Sequence, residues 1–172
     1  MGTLSNRFSP ASRKNVDRET DPYLPRKGAS AVGACPNCHA IRSNKRWHLD
    51  EKEYAALTRG RGTAVTERCP ACRKIADGFP SGVVLLRGAY LREHREEILK
   101  LARNEEKRAM GFNPLQRIMF VKEEGGTMEI STTDEKLAQR IGREVRKACR
   151  GTVEYKWSED SKLLRVNWAR EA

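Results

Sequence analysis

Cys35-Pro36-Asn37-Cys38 and, further along, Cys69-Pro70-Ala71-Cys72 are two matched pairs separated by 30 residues. A two-residue insert lets both sulfurs of a pair point inward across a tight turn, and Pro at the second position favours that turn by fixing φ. Four thiolates around a d¹⁰ ion make a closed tetrahedral site, so the pairs predict structural Zn²⁺ held by Cys35, Cys38, Cys69 and Cys72. The spacing suits a zinc ribbon whose hairpin carries an insertion. A closed site leaves no open position for metal catalysis, and the ion instead staples a polar module with few apolar residues. An iron centre, a redox pair and buried free thiols are the other readings. A thioredoxin-like redox pair needs a single pair opening a helix beside a βαβ unit, whereas the sequence has two matched pairs and no such unit. His39 and His48 could each replace a cysteine, but the four-sulfur set is complete without them. The fifth cysteine, Cys149, reads as a small buried hydrophobe.

Positive charge gathers around the pairs. Residues 35–75 hold nine basic and four acidic side chains, part of a net +11 for the chain. The cations are concentrated in Arg42, Lys45 and Arg46 beside Trp47, in Arg59 and Arg61, and in Arg73 and Lys74. A small ribbon core would leave them facing outward, where clustered cations contact phosphates and Trp47 either stacks on an unpaired base or plugs the core. Ordinary solubility is the plainer account of the cations. Residues 1–34 show no helical or strand period and read as a disordered basic tail or a solubilising extension.

Beyond the pairs the pattern predicts an α+β chain in four parts: tail 1–34, zinc ribbon module 35–88, linking helix 89–112, and a ββαββ sandwich over 113–172. The apolar stretch 83–86 is assigned to the ribbon module. The linking helix carries Leu91, Ile98, Leu101 and Ala102 on one side and charges of both signs elsewhere, the pattern of a solvated spacer or packing element. Strands are expected over 115–122, 127–132, 152–157 and 162–168, giving a four-stranded, mostly antiparallel sheet. Thr133 or Asp134 caps a helix that runs to about Arg150 and is ended by Gly151. In that helix Leu137, Ala138, Ile141, Val145 and Ala148 share one face. Lys136, Arg140, Arg143, Arg146, Lys147 and Arg150 take the opposite side, with Glu144 the only acid past the first turn. A stripe of one sign favours a polyanionic partner over simple solvation.

Other classes are disfavoured. Apolar stretches such as 83–86 stop at four residues, far short of the roughly 20 that span a bilayer. Residues 1–10 lack the apolar core of a secretory leader, so the expected location is the cytoplasm. No phosphate-binding loop, dinucleotide fingerprint or hydrolase motif is present, and three histidines without Ser, Asp or Cys partners make catalysis a poor expectation.

Several segments resemble a bacterial family of small zinc-ribbon proteins. They are the paired Cys-Pro-x-Cys motifs, the stretch Gly82-Val83-Val84-Leu85-Leu86-Arg87-Gly88, the helix containing Glu96-Glu97-Ile98-Leu99 and Arg103-Asn104-Glu105-Glu106, Asn113-Pro114-Leu115-Gln116-Arg117-Ile118-Met119, and Leu164-Arg165-Val166-Asn167-Trp168. That family is similar, more distantly, to the nonsense-mediated-decay-protein-three family, whose zinc-binding Cys pairs precede an α/β module and which binds the large ribosomal subunit. The resemblance implies a ribosome and rRNA partner, with only the four cysteines carried over. It supports a non-enzymatic RNA-binding role in subunit maturation, quality control or protection of idle ribosomes under stress. A DNA-binding or transcription-associated zinc module and a thiol redox sensor are the alternatives.

Overall fold

Two hydrophobic clusters organise the chain, each built on its own sheet. The computed structural model describes residues 22–23, 31–60, 62–158 and 162–171. Most of the expected tail, Arg61, and residues 159–161 of an expected turn lie outside the described residues.

The first sheet has the order β3-β2-β1-β4, with β1 at Gly33–Ala34, β2 at Ala40–Ser43, β3 at Arg46–Leu49 and β4 at Val65–Thr66. Asn44 and Lys45 both take positive φ, 48° and 64°, the pair of left-handed residues that closes a tight hairpin between β2 and β3. The ordered part of this module starts before Cys35, because Gly33 and Ala34 are buried and pair with Arg42 and Ile41. Two helices not foreseen from the pattern complete it. α1 (Glu51–Thr58) is capped by Asp50, whose side chain accepts the Glu53 N–H at 2.9 Å. α2 (Pro70–Asp77) begins on the second cysteine pair with Pro70 in its first turn and ends on left-handed Gly78. The second pair therefore opens a helix instead of lying in a hairpin.

The second sheet has five strands in the order β6-β7-β5-β9-β8. In chain order these are β5 (Gly82–Arg87), helix α3 (Ala89–Phe112), β6 (Ile118–Glu124), β7 (Thr127–Thr132), helix α4 (Glu135–Cys149), β8 (Thr152–Trp157) and β9 (Leu164–Ala169). This corrects the expected four-stranded sandwich. Residues 83–86 belong to the centre of this sheet, antiparallel to β7 and parallel to β9. The physical reason is that Val83-Val84-Leu85-Leu86 is apolar on both faces and suits a central strand, while charged β6 and alternating β8 suit the edges. β6 also starts later than expected, because the Thr133 hydroxyl clamps the preceding segment, donating to the Leu115 carbonyl at 2.6 Å and accepting the Arg117 N–H at 2.9 Å.

Both long helices pack on the face carrying Val84, Leu86, Met128, Ile130, Val166 and Trp168. α3 buries Leu91, Ile98, Ala102 and Ala109 there, so it is a packing element; it also buries Glu105, which pairs with Arg108, while Arg103 pairs with Glu106. Asp134 caps α4 by accepting the Lys136 N–H at 2.9 Å. The buried line of α4 is Leu137, Ala138, Ile141, Gly142, Val145 and Cys149. Ala148, expected on that face, is exposed, and Cys149 ends the line one position on. Gly142 permits the close approach to the sheet, since a Cβ there would meet Val166 Cγ1 at 2.4 Å.

The two sheets meet around α2. Lys74 Nζ donates to Ser81 Oγ at 2.6 Å and to the Thr133 carbonyl at 3.1 Å, and Leu115 packs against the cysteine cluster.

Candidate metal centre and basic surface

The backbone delivers the four sulfurs from two sides. After β1 the chain folds back, with the Cys35 N–H donating to the Ala40 carbonyl at 2.8 Å and the His39 N–H to the Cys35 carbonyl at 3.0 Å. This turn puts His39 at φ 61°, a left-handed conformation where Gly is easier. Its ring lies stacked on Tyr54, and Nδ1 sits 3.0 Å from Glu51. From the other side Cys69 caps α2, its sulfur accepting the Cys72 N–H at 3.4 Å, while its own N–H donates to Cys35 Sγ at 3.3 Å. Cys38 and Cys69 sulfurs are 3.5 Å apart, and all four Sγ atoms lie within 4.8 Å of one another.

A tetrahedron of bonds of about 2.3 Å, as in zinc–thiolate sites, has edges of about 3.8 Å. The four sulfurs therefore close on one position that can hold a metal ion, and none of them is in a disulfide. Without an ion the four thiols do not ionise together. The bond to Cys69 pulls the Cys38 thiol down to about 5 and pushes Cys69 up, while burial pushes Cys72 up to about 11. Four thiolates can coexist in this volume only around a cation.

One functional residue has no signal in the cysteine spacing. Arg117 Nη1 donates to Cys72 Sγ at 3.3 Å from the segment before β6, 45 residues away. Burial works against its charge, yet the sulfurs of Cys72, Cys38 and Cys69 hold its pKa above the ordinary guanidinium value. A divalent ion on four thiolates would leave net negative charge, which this guanidinium would offset. The histidines do not join the cluster. His48 Nε2 lies 2.8 Å from Glu53, and His94 pairs with Glu97 on α3. Cys149 is buried in the core of the second sheet.

The basic residues divide into two groups. Arg42 does not face outward: it is buried in β2 and bonded through Nε to Glu67 at 2.8 Å, because a charge in the middle of a sheet needs a partner. Trp47 is buried in the cysteine cluster, which is the core-plug alternative. Arg73 donates to the carbonyls of Pro22 and Tyr23 at 2.9 and 2.7 Å, and Lys74 ties α2 to the second sheet. Lys45, Arg46 and Arg59 are exposed, and Arg61 lies outside the described residues. On α4, Lys136, Arg143, Arg146, Lys147 and Arg150 are exposed. Arg140 leans to buried Glu105 at 3.4 Å, and Lys147 lies 4.0 Å from Glu144.

Among the described residues no helix is long and apolar enough to cross a membrane. In comparisons with known proteins, no protein family, curated protein or solved structure matches this chain.

Proposed function

We propose that this chain is a zinc-stapled, non-enzymatic RNA-binding protein that acts on the ribosome in the cytoplasm, with the large subunit the favoured partner. The observation that carries this reading is the closed set of four sulfurs in a protein whose last helix exposes cations of one sign. Four thiolates fill a tetrahedral ion's positions, which favours a folding role over catalysis. Zinc suits this set because it binds thiolates tetrahedrally without redox chemistry. When bound, it would fix the knuckles, while Arg117 holds its guanidinium on Cys72 and steadies the net negative centre. The exposed cations Lys45, Arg46 and Arg59, together with the α4 stripe, supply the sequence-independent attraction to a phosphate backbone. The ribosome itself is named on the resemblance of the cysteine motifs and the segments after them. Subunit maturation, quality control and protection of idle ribosomes under stress are the roles that fit.

The test is sedimentation with purified ribosomal particles and with lysates of growing and starved cells. Co-migration with the particles at low salt and its loss at high salt are expected, since each neutralised phosphate adds to the salt dependence. Protein that stays at the top of the gradient under every condition overturns the proposal.

A further inference from the structure

The proposed RNA-binding reading leaves open which surface does the binding, and one strip of the second sheet differs from the rest of the basic surface. The outermost strand, β8, pairs only with β9 among the described residues, so its other edge is open. Its residues Val153, Tyr155 and Trp157 stand opposite the buried Trp168, Val166 and Leu164 of β9 and share their face. Yet Trp157 is 42% exposed, whereas Trp47 and Trp168 are buried. α4 runs over β9 beside this strand. A Cβ at Gly142 would come within 3.5 Å of the Tyr155 ring. Arg143, next to Gly142, and Arg146, one turn further on, act electrostatically on Tyr155 and are both exposed.

The two sides of α4 treat their charges differently. Toward α3, Arg140 is paired with Glu105, and Lys147 lies near Glu144. Toward β8, among the described residues, neither Arg143 nor Arg146 pairs with a carboxylate, and the neighbouring Glu144 is turned to Lys147. Two unpaired guanidiniums near Tyr155, with an accessible indole two residues along the same face of β8, combine phosphate attraction with a stacking platform. Stacking of a base on Trp157 requires that the base be free of a duplex, and the major groove of an A-form helix is too narrow for side chains to read. We propose that the strip formed by Arg143 and Arg146 on α4 with Trp157 on β8 binds unpaired RNA, a base stacking on the indole and the phosphates running along the helix.

The full-length, zinc-loaded protein is titrated with a fluorescein-labelled single-stranded RNA of about twelve nucleotides, with an RNA duplex and a DNA duplex of the same length as comparisons. The single strand should bind best and quench the emission of the exposed tryptophan. W157A should weaken binding roughly tenfold while W157F, which keeps an aromatic face, stays within a few-fold of the parent. R143Q/R146Q should lower the slope of log affinity against log salt by about 1.4, the value for two lost contacts on a single strand. Thermal melts of each variant separate lost binding from lost folding. A parent protein that binds single-stranded RNA with W157A and R143Q/R146Q unchanged places the site elsewhere and overturns this inference, leaving RNA binding intact. Tighter binding of either duplex also overturns it. A parent protein that binds no RNA and no ribosomal particle overturns both this strip and the functional reading beneath it.

Discussion

Metal removal should unfold the first sheet and leave the second standing. The cysteine cluster consists of Cys35, Ala40, Trp47, Cys69, Ala71 and Cys72, with Cys38 and Leu115 against it. Trp47 is its one large side chain, and burying about 200 Å² of indole contributes about 5 kcal/mol at about 25 cal/mol per Å². A structural zinc site contributes about 10–16 kcal/mol at neutral pH, so the ion outweighs the core it organises. The second sheet has its own core of aliphatic residues around Trp168, with no sulfur ligand in it. Trp47 and Trp168 therefore report on the two clusters separately, and Trp157 is exposed from the start. Under a zinc chelator, Trp47 should become solvent-exposed and shift its emission to the red, while Trp168, fully buried, keeps its signal. W47F should abolish the shift, and added zinc should reverse it. If the chelated protein keeps Trp47 buried and melts as before, the cluster is not what folds this module.

Three further outcomes follow from individual contacts. R117Q removes the donor on Cys72 and should weaken zinc binding about 10–100-fold, read by competition with a chromogenic chelator, with the circular dichroism unchanged. Burial, with Glu135 alongside, pushes the Asp134 carboxyl up; a carboxyl raised in the folded state favours the fold while protonated, and that contribution is lost as pH climbs through the raised value. D134N, which keeps a capping side chain without the charge, should match or exceed the parent's melting temperature at neutral pH, whereas D134A loses the cap, about 1 kcal/mol or about 2–4 °C. G142A gains up to about 1 kcal/mol of helix propensity but drives a Cβ into Val166, so denaturant titration should show net destabilisation, with overpacking costing about 1–3 kcal/mol.

Local features were legible in the sequence, and long-range ones were not. The cysteine pairs are short-range geometry, and all four sulfurs converge as the spacing implied. α4 and β7 to β9 were readable because each carries a clear period of its own. The stretch 83–86 was misplaced because an uninterrupted apolar run has no period, and only the competition among strands makes it the sheet's centre. α1 buries none of its residues, so no amphipathic pattern announced it, although Asp50 three residues before Glu53 is its cap. Nothing local marks Arg42 and Lys74 as inward-facing, because their partners, Glu67 and Thr133, lie 25 and 59 residues away. Arg117 carries no local signal for the same reason, its sulfur partner Cys72 lying 45 residues away on α2.

The most direct check is elemental analysis of the natively purified protein combined with thiol titration. The account predicts one zinc per chain, with Cys35, Cys38, Cys69 and Cys72 protected until the metal is withdrawn. A folded protein that carries no metal, or whose four thiols react freely, would contradict it.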